Sequence, residues 1–123
     1  MKLFKCSKCG KIVIILEEGS RNTICCGEDM KELTPRSIDG AIEKHVAIVD
    51  IKDNVVNVKV GEVEHPMTEE HYIEFIILET NKGYMLKNLK PNDKPEAVYI
   101  LSDNEKYVNA YAYCNLHGLW NNK

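Results

Sequence analysis

The five cysteines and four histidines of this chain fall into two blocks, and that grouping constrains what it can fold into more than any other feature. Cys6, Cys9, Cys25 and Cys26 stand near the start; His45, His65, His71, Cys114 and His117 follow. Four thiolates suit a closed metal site that is structural or carries electrons. Four imidazoles and one thiolate suit a redox metal with room for a small ligand. An odd number of cysteines leaves one over in any disulfide scheme, and C-x-x-C and adjacent C-C pairs fit metal better than bridges. The competing reading is two structural disulfides and a buried free cysteine.

The chain has 123 residues, 44% apolar and 28% charged, the makeup of a globular protein with one ordinary domain or a small domain joined to a medium one. Its longest apolar run, Ile12 to Leu16, is far short of the roughly 20 residues a membrane span needs. The lysine-studded start lacks a signal-peptide core, so no membrane association and a cytoplasmic location are expected. A net charge of −3 argues against nucleic acid as a partner. Any attraction for an anion must then be local.

Residues 1–36 hold four cysteines, the short apolar stretches Leu3-Phe4 and Ile12 to Leu16, and turn signals at Cys9-Gly10, Glu18-Gly19-Ser20 and Gly27-Glu28-Asp29. So small a unit cannot pack a sufficient core, and a metal is expected to serve as one. Thr34-Pro35-Arg36-Ser37 reads as a linker. From Ile38 onward residues alternate with period two, as in Val56, Val58 and Val60, or Tyr107, Asn109, Tyr111 and Tyr113. Further strand candidates are Lys44 to Ile51, His71 to Glu79, Tyr84 to Asn88 and Ala97 to Ser102, with turns at Asp53-Asn54, Asn81-Lys82-Gly83 and Pro91-Asn92-Asp93. Thr68-Glu69-Glu70 reads as a short turn leading into a strand. Six or seven strands point to an antiparallel, immunoglobulin-like β-sandwich over 37–123.

Cys6-x-x-Cys9 lets two thiolates reach one ion from a tight turn, with Gly10 easing the backbone. Cys25-Cys26 departs from the usual second C-x-x-C and is expected to pull a tetrahedron away from ideal angles. The sulfurs alone lean to zinc, with iron as the alternative, and a purely structural staple stays open. In the second block, His45 begins a predicted strand, His65 is held extended by Pro66, His71 opens the next strand, and Cys114-x-x-His117 presents sulfur and nitrogen from one loop. Five donors are too many for tetrahedral zinc and suit iron with an open sixth position. Lys44, beside a ligand, either adds a local positive field or is one more solvated lysine.

In this order the motifs resemble desulfoferrodoxin, the two-iron superoxide reductase family with a desulforedoxin-like N-terminal domain. The resemblance runs through Cys6-Ser-Lys-Cys9-Gly10, Cys25-Cys26-Gly27-Glu28-Asp29-Met30, Glu43-Lys44-His45-Val46, Gly61 to Met67, His71-Tyr72-Ile73-Glu74-Phe75 and Tyr113 to Trp120. It implies two iron ions per chain. Cys6, Cys9, Cys25 and Cys26 would hold a distorted FeS4 centre in a 1–36 domain, replacing the lean to zinc, although zinc can substitute there. His45, His65, His71 and His117 would be equatorial ligands of the catalytic iron, with Cys114 axial, in a 37–123 domain.

The resemblance further implies that Lys44 attracts superoxide and aids protonation, and that Glu43 is a mobile sixth ligand. The reaction would be one-electron reduction of superoxide to peroxide, with electrons from rubredoxin or a similar donor and a homodimeric assembly. Ala47 departs from the family, which commonly has proline after the His-Val pair, and a looser Glu43/Lys44 loop is expected. Two other readings remain: dismutation at the same site, and a zinc-stabilised interaction module without catalysis.

Overall fold

The computed structural model describes residues 1–36 and 45–122. Glu43 and Lys44, with the predicted strand start at Lys44, lie outside the described residues. The chain divides into two compact units, Met1–Thr34 and Pro35–Lys123. Among the described residues no helix is long and apolar enough to cross a membrane.

The first unit is built from very short strands: β1 (Lys2–Lys5), β2 (Ile12–Ile15), β3 (Ile24–Cys25), β4 (Glu28–Asp29) and β5 (Lys31–Glu32). Strand β1 lies between β2 and β5, and β3 pairs with β4. The two apolar stretches read from the sequence supply β1 and β2. Among the described residues of this unit only Leu3, Cys6 and Met30 are buried apolar side chains. Leu16 and Ile24 remain exposed. Three buried side chains cannot offset the ordering entropy of such a segment, where each residue costs about 1 to 2 kcal/mol in backbone freedom alone. A metal-centred core is the physical remedy.

The second unit contains β6 (Ala47–Lys52), β7 (Val55–Val60), β8 (Ile73–Thr80), β9 (Gly83–Asn88), β10 (Glu96–Ile100), β11 (Tyr107–Cys114) and β12 (Gly118–Asn121). They form a three-stranded sheet of order β10-β7-β6 and a four-stranded sheet of order β12-β11-β8-β9, all antiparallel. This three-plus-four arrangement is the sandwich expected from the alternating pattern. Val56, Val58 and Val60 project into the core with Ile73, Ile76 and Leu78, while Lys59 faces out. Tyr99 spans between the sheets, its hydroxyl donating to the Ile76 carbonyl at 2.7 Å.

Pro35 and Arg36, read from the sequence as linker, belong to this second unit. Arg36 forms a parallel bridge with Trp120, donating its N–H to Leu119 O at 2.9 Å and accepting from Asn121 N at 3.0 Å. The open edge of β12 offers unpaired backbone groups, and the nearest extended residues satisfy them.

Candidate metal centres

The four cysteines of the first unit converge, their sulfurs all within 4.8 Å of one another. Cys6 follows β1 directly, and the Cys6 carbonyl accepts from the Gly10 amide at 3.0 Å, closing the turn that carries Cys9. Gly10 adopts φ 82°, a left-handed conformation that favours glycine.

The adjacent pair is placed by a different device. Cys25 pairs with Glu28 across a two-residue hairpin loop, and both loop residues, Cys26 (φ 51°) and Gly27 (φ 76°), are left-handed, as a type I′ turn requires. Successive side chains of a strand point to opposite faces. The turn at Cys26 cancels that alternation and leaves its sulfur 3.9 Å from that of Cys25. Cys9 and Cys25 sulfurs stand 3.7 Å apart. A tetrahedron with metal–sulfur bonds of about 2.3 Å has edges of about 3.8 Å, so these separations fit a tetrathiolate ion. The Cys9 amide, directed at the Cys6 sulfur, holds that thiol down to about 6, whereas the neighbouring sulfurs of Cys9 and Cys6 push Cys26 up to about 12. Four thiolates side by side need a cation to be charged together.

The second cluster is assembled from four separate stretches of chain. His45 precedes β6, His65 and His71 lie in the β7–β8 connection, Cys114 ends β11 and His117 lies in the β11–β12 loop. One donor atom each from His45, His65, His71 and Cys114 lies within 4.8 Å of the others. His117 joins them through Nδ1, 3.0 Å from His45 Nε2 and 3.7 Å from the Cys114 sulfur. With metal–nitrogen bonds of about 2.1 Å, neighbouring donors at right angles lie about 3.0 Å apart and tetrahedral ones about 3.4 Å. The His45–His117 spacing is compatible with the right-angled case, and it is also the length of an imidazole–imidazole hydrogen bond.

Protonation also suits metal binding. His65 Nδ1 lies 2.7 Å from the Pro66 carbonyl, which can only accept, so Nδ1 carries the proton and Nε2 keeps a free lone pair. That Nε2 is buried and accepts no protein hydrogen bond. Burial, against the opposing Pro66 contact, pushes His65 down to about 4, leaving it neutral at physiological pH. Burial raises the Cys114 thiol, so a cation is needed to hold it as thiolate.

Exposure is graded across the set. Cys114, His45 and His65 are buried at 0%, 1% and 2% exposure, His71 is half-buried, and His117 is exposed. The sulfur therefore sits at the deep end and the last two imidazoles at the rim.

Two residues of this site had no role in the sequence reading. Trp120 stacks its ring on His45, centroids 4.7 Å apart and 16° from parallel, and its Nε1–H donates to the His117 carbonyl at 3.1 Å. Asn115 hydrogen-bonds to the turn carrying His71. Their only signal was proximity to Cys114 and His117 in the sequence.

Comparison with known proteins agrees with this geometry. The family model for the desulfoferrodoxin N-terminal domain matches residues 1–33, and the model for desulfoferrodoxin matches residues 37–123. A desulfoferrodoxin homolog of Archaeoglobus fulgidus is 44% identical over 121 residues, covering 98% of this chain and 94% of that protein. Desulfoferrodoxin of Nitratidesulfovibrio vulgaris is 44% identical over 119 residues, covering 97% and 93%. Among solved structures, the superoxide reductase from Treponema pallidum superposes with a TM-score of 0.82 at 34% identity, covering 99% of this chain and 96% of that one. With both segments matched and both donor sets gathered, the chain belongs to the desulfoferrodoxin family.

Proposed function

We propose that this protein is a superoxide reductase, which adds one electron and two protons to superoxide and releases hydrogen peroxide. The observation that carries the reading is the convergence of four imidazoles and one thiol from distant positions, graded from a buried sulfur to an exposed histidine. His45, His65, His71, His117 and Cys114 hold the catalytic iron, and Cys6, Cys9, Cys25 and Cys26 hold a second iron as FeS4. Bound iron supplies the single electron that superoxide accepts, and the thiolate supplies electron density that favours release of peroxide.

The protein's own residues do the rest. Neutral imidazoles and one thiolate leave an iron(II) site at net +1, attractive to a small anion despite the acidic chain. Lys44 would add positive charge beside His45 and help deliver protons, and Glu43 would help expel the product. The first unit, Met1–Thr34, is the FeS4 domain, and the second, Pro35–Lys123, is the catalytic domain, a boundary two residues before the one read from the sequence. The protein works in the cytoplasm as a homodimer, and rubredoxin or a similar small carrier returns the iron to its reduced state.

Stopped-flow decay of superoxide, combined with metal analysis, tests this reading. Two irons per chain and decay that becomes catalytic only with a reduced carrier are expected. Catalytic decay without any reductant would indicate dismutation, and a colourless zinc protein would indicate a non-catalytic module.

A further inference from the structure

We infer that Asn115 is a positioning residue that locks His71 to the loop bearing Cys114 and His117 and so sets the shape of the catalytic donor set. The inference rests on the proposed reading of that set as an iron site.

His71 is half-buried and follows a tight turn in which the Thr68 amide donates to the His71 carbonyl at 2.9 Å and the His71 amide returns to the Thr68 carbonyl at 3.2 Å. Those bonds shape the turn from within. Asn115 ties it to the neighbouring loop. Its Oδ1 accepts from the Tyr72 amide at 3.0 Å, and its Nδ2 donates to the Glu70 carbonyl at 3.0 Å. Its own amide donates to the Tyr72 carbonyl at 3.2 Å. The contacts fall on the residues immediately before and after His71, so the imidazole is bracketed. Asn115 also follows Cys114 directly and shares the three-residue loop with His117. One residue is thus continuous with two donors and bonded on both sides of a third.

The side-chain chemistry is particular. Only a carboxamide offers an acceptor and donors together at this length; a carboxylate can take the Tyr72 amide but repels the Glu70 carbonyl. His45 and His65 are almost wholly buried, whereas His71 is half-buried, so the turn that carries it matters more to its placement. Partners outside the donor set typically influence metal affinity by about 10-fold to 100-fold.

The test uses the iron-loaded full-length protein with Asn115→Ala and Asn115→Asp. Loss of iron from the imidazole–thiolate site to a ferrous chelator is followed beside the paramagnetic resonance spectrum of the ferric form. Asn115→Ala is expected to release that iron about 10-fold faster, with an altered ferric signal and an unchanged FeS4 spectrum. Asn115→Asp, which keeps the Tyr72 contact, is expected to fall between. Wild-type release and spectrum in both variants overturn the inference, as does a lowered melting temperature with the ferric signal unaltered. If Asn115→Ala does not fold, the Asp variant alone decides by the same two readouts. A wild-type protein that holds no iron at these donors overturns the superoxide reductase reading itself, and this inference with it.

Discussion

At the scale of single residues, Cys114 and Lys44 carry the sharpest consequences. Cys114 is completely buried, and its thiol is raised by that burial, so it has no reason to ionise except to meet a cation. Cys114→Ser is expected to abolish the sulfur-to-iron charge-transfer absorption while the FeS4 bands persist; a retained band would remove Cys114 from the ligand set. Lys44, in the proposed role, would act through charge at a distance. Lys44→Ala should slow the bimolecular reaction with superoxide and flatten its dependence on ionic strength, since a screened attraction is what salt weakens. Rapid-mixing rates at two salt concentrations check this, and identical rates would take Lys44 out of the mechanism. The two groups of candidate donors were legible in the sequence, because cysteine and histidine are rare enough here for their spacing to carry meaning. Asn115 and Trp120 were not, since asparagine in a loop and tryptophan in a core are ordinary until their neighbours are known.

At the scale of elements, the hairpin joining β11 to β12 shows how a strand delivers a ligand. Cys114 pairs with Gly118, leaving Asn115, Leu116 and His117 as the loop, and Gly118 takes φ 85°. A methyl group at Gly118 would meet no atom within 4 Å, so Gly118→Ala tests backbone strain alone. It is expected to cost about 1 to 2 kcal/mol in urea unfolding, and to loosen His117 without a steric clash. Alternation in β7 could be read directly from Val56, Val58 and Val60. In β11 it could not. A strict period of two puts Tyr107, Asn109, Tyr111 and Tyr113 on one face, but the register shifts between Tyr107 and Asn109, where Val108 is the extra residue. Tyr107 packs on the core before that bulge, and Ala110, Ala112 and Cys114 pack on it afterwards. An unbroken strand would have aimed Cys114 away from the core. A bulge changes the parity of every later side chain, and its position depends on pairing with β8, which no local pattern encodes.

For the whole molecule, the two units owe their stability to different sources, and that difference is measurable. With so few buried apolar groups, Met1–Thr34 is expected to lose its amide dispersion in NMR spectra once a strong chelator strips the metal, while the β-sandwich signals stay dispersed. Simultaneous collapse of both would contradict this division.

The sandwich has its own pH limit. Burial raises Tyr99 above the usual tyrosine range, and burial, followed by the Glu79 contact, pushes Tyr111 up to about 12. Both stay protonated in the fold after the unfolded chain begins to ionise near pH 10, so stability is complete below about pH 10 and falls as pH rises beyond it. Tyr99→Phe should make that alkaline decline shallower, at a cost of about 1 kcal/mol at neutral pH for the lost hydrogen bond to Ile76. Denaturant midpoints at pH 7 and pH 11 would reveal both effects. Equal slopes for the two proteins would rule out Tyr99 as a source.

By itself the sequence determined the two groups of cysteines and histidines and the all-β character. Each follows from side-chain chemistry or from a period that repeats along the chain. Tertiary structure alone decided which sulfur or nitrogen lies deep and which at the rim. It also docked Arg36 beside Trp120 and let Asn115 and Trp120 grip the histidines. Those choices depend on contacts between segments tens of residues apart, where strand register and burial outweigh any local preference.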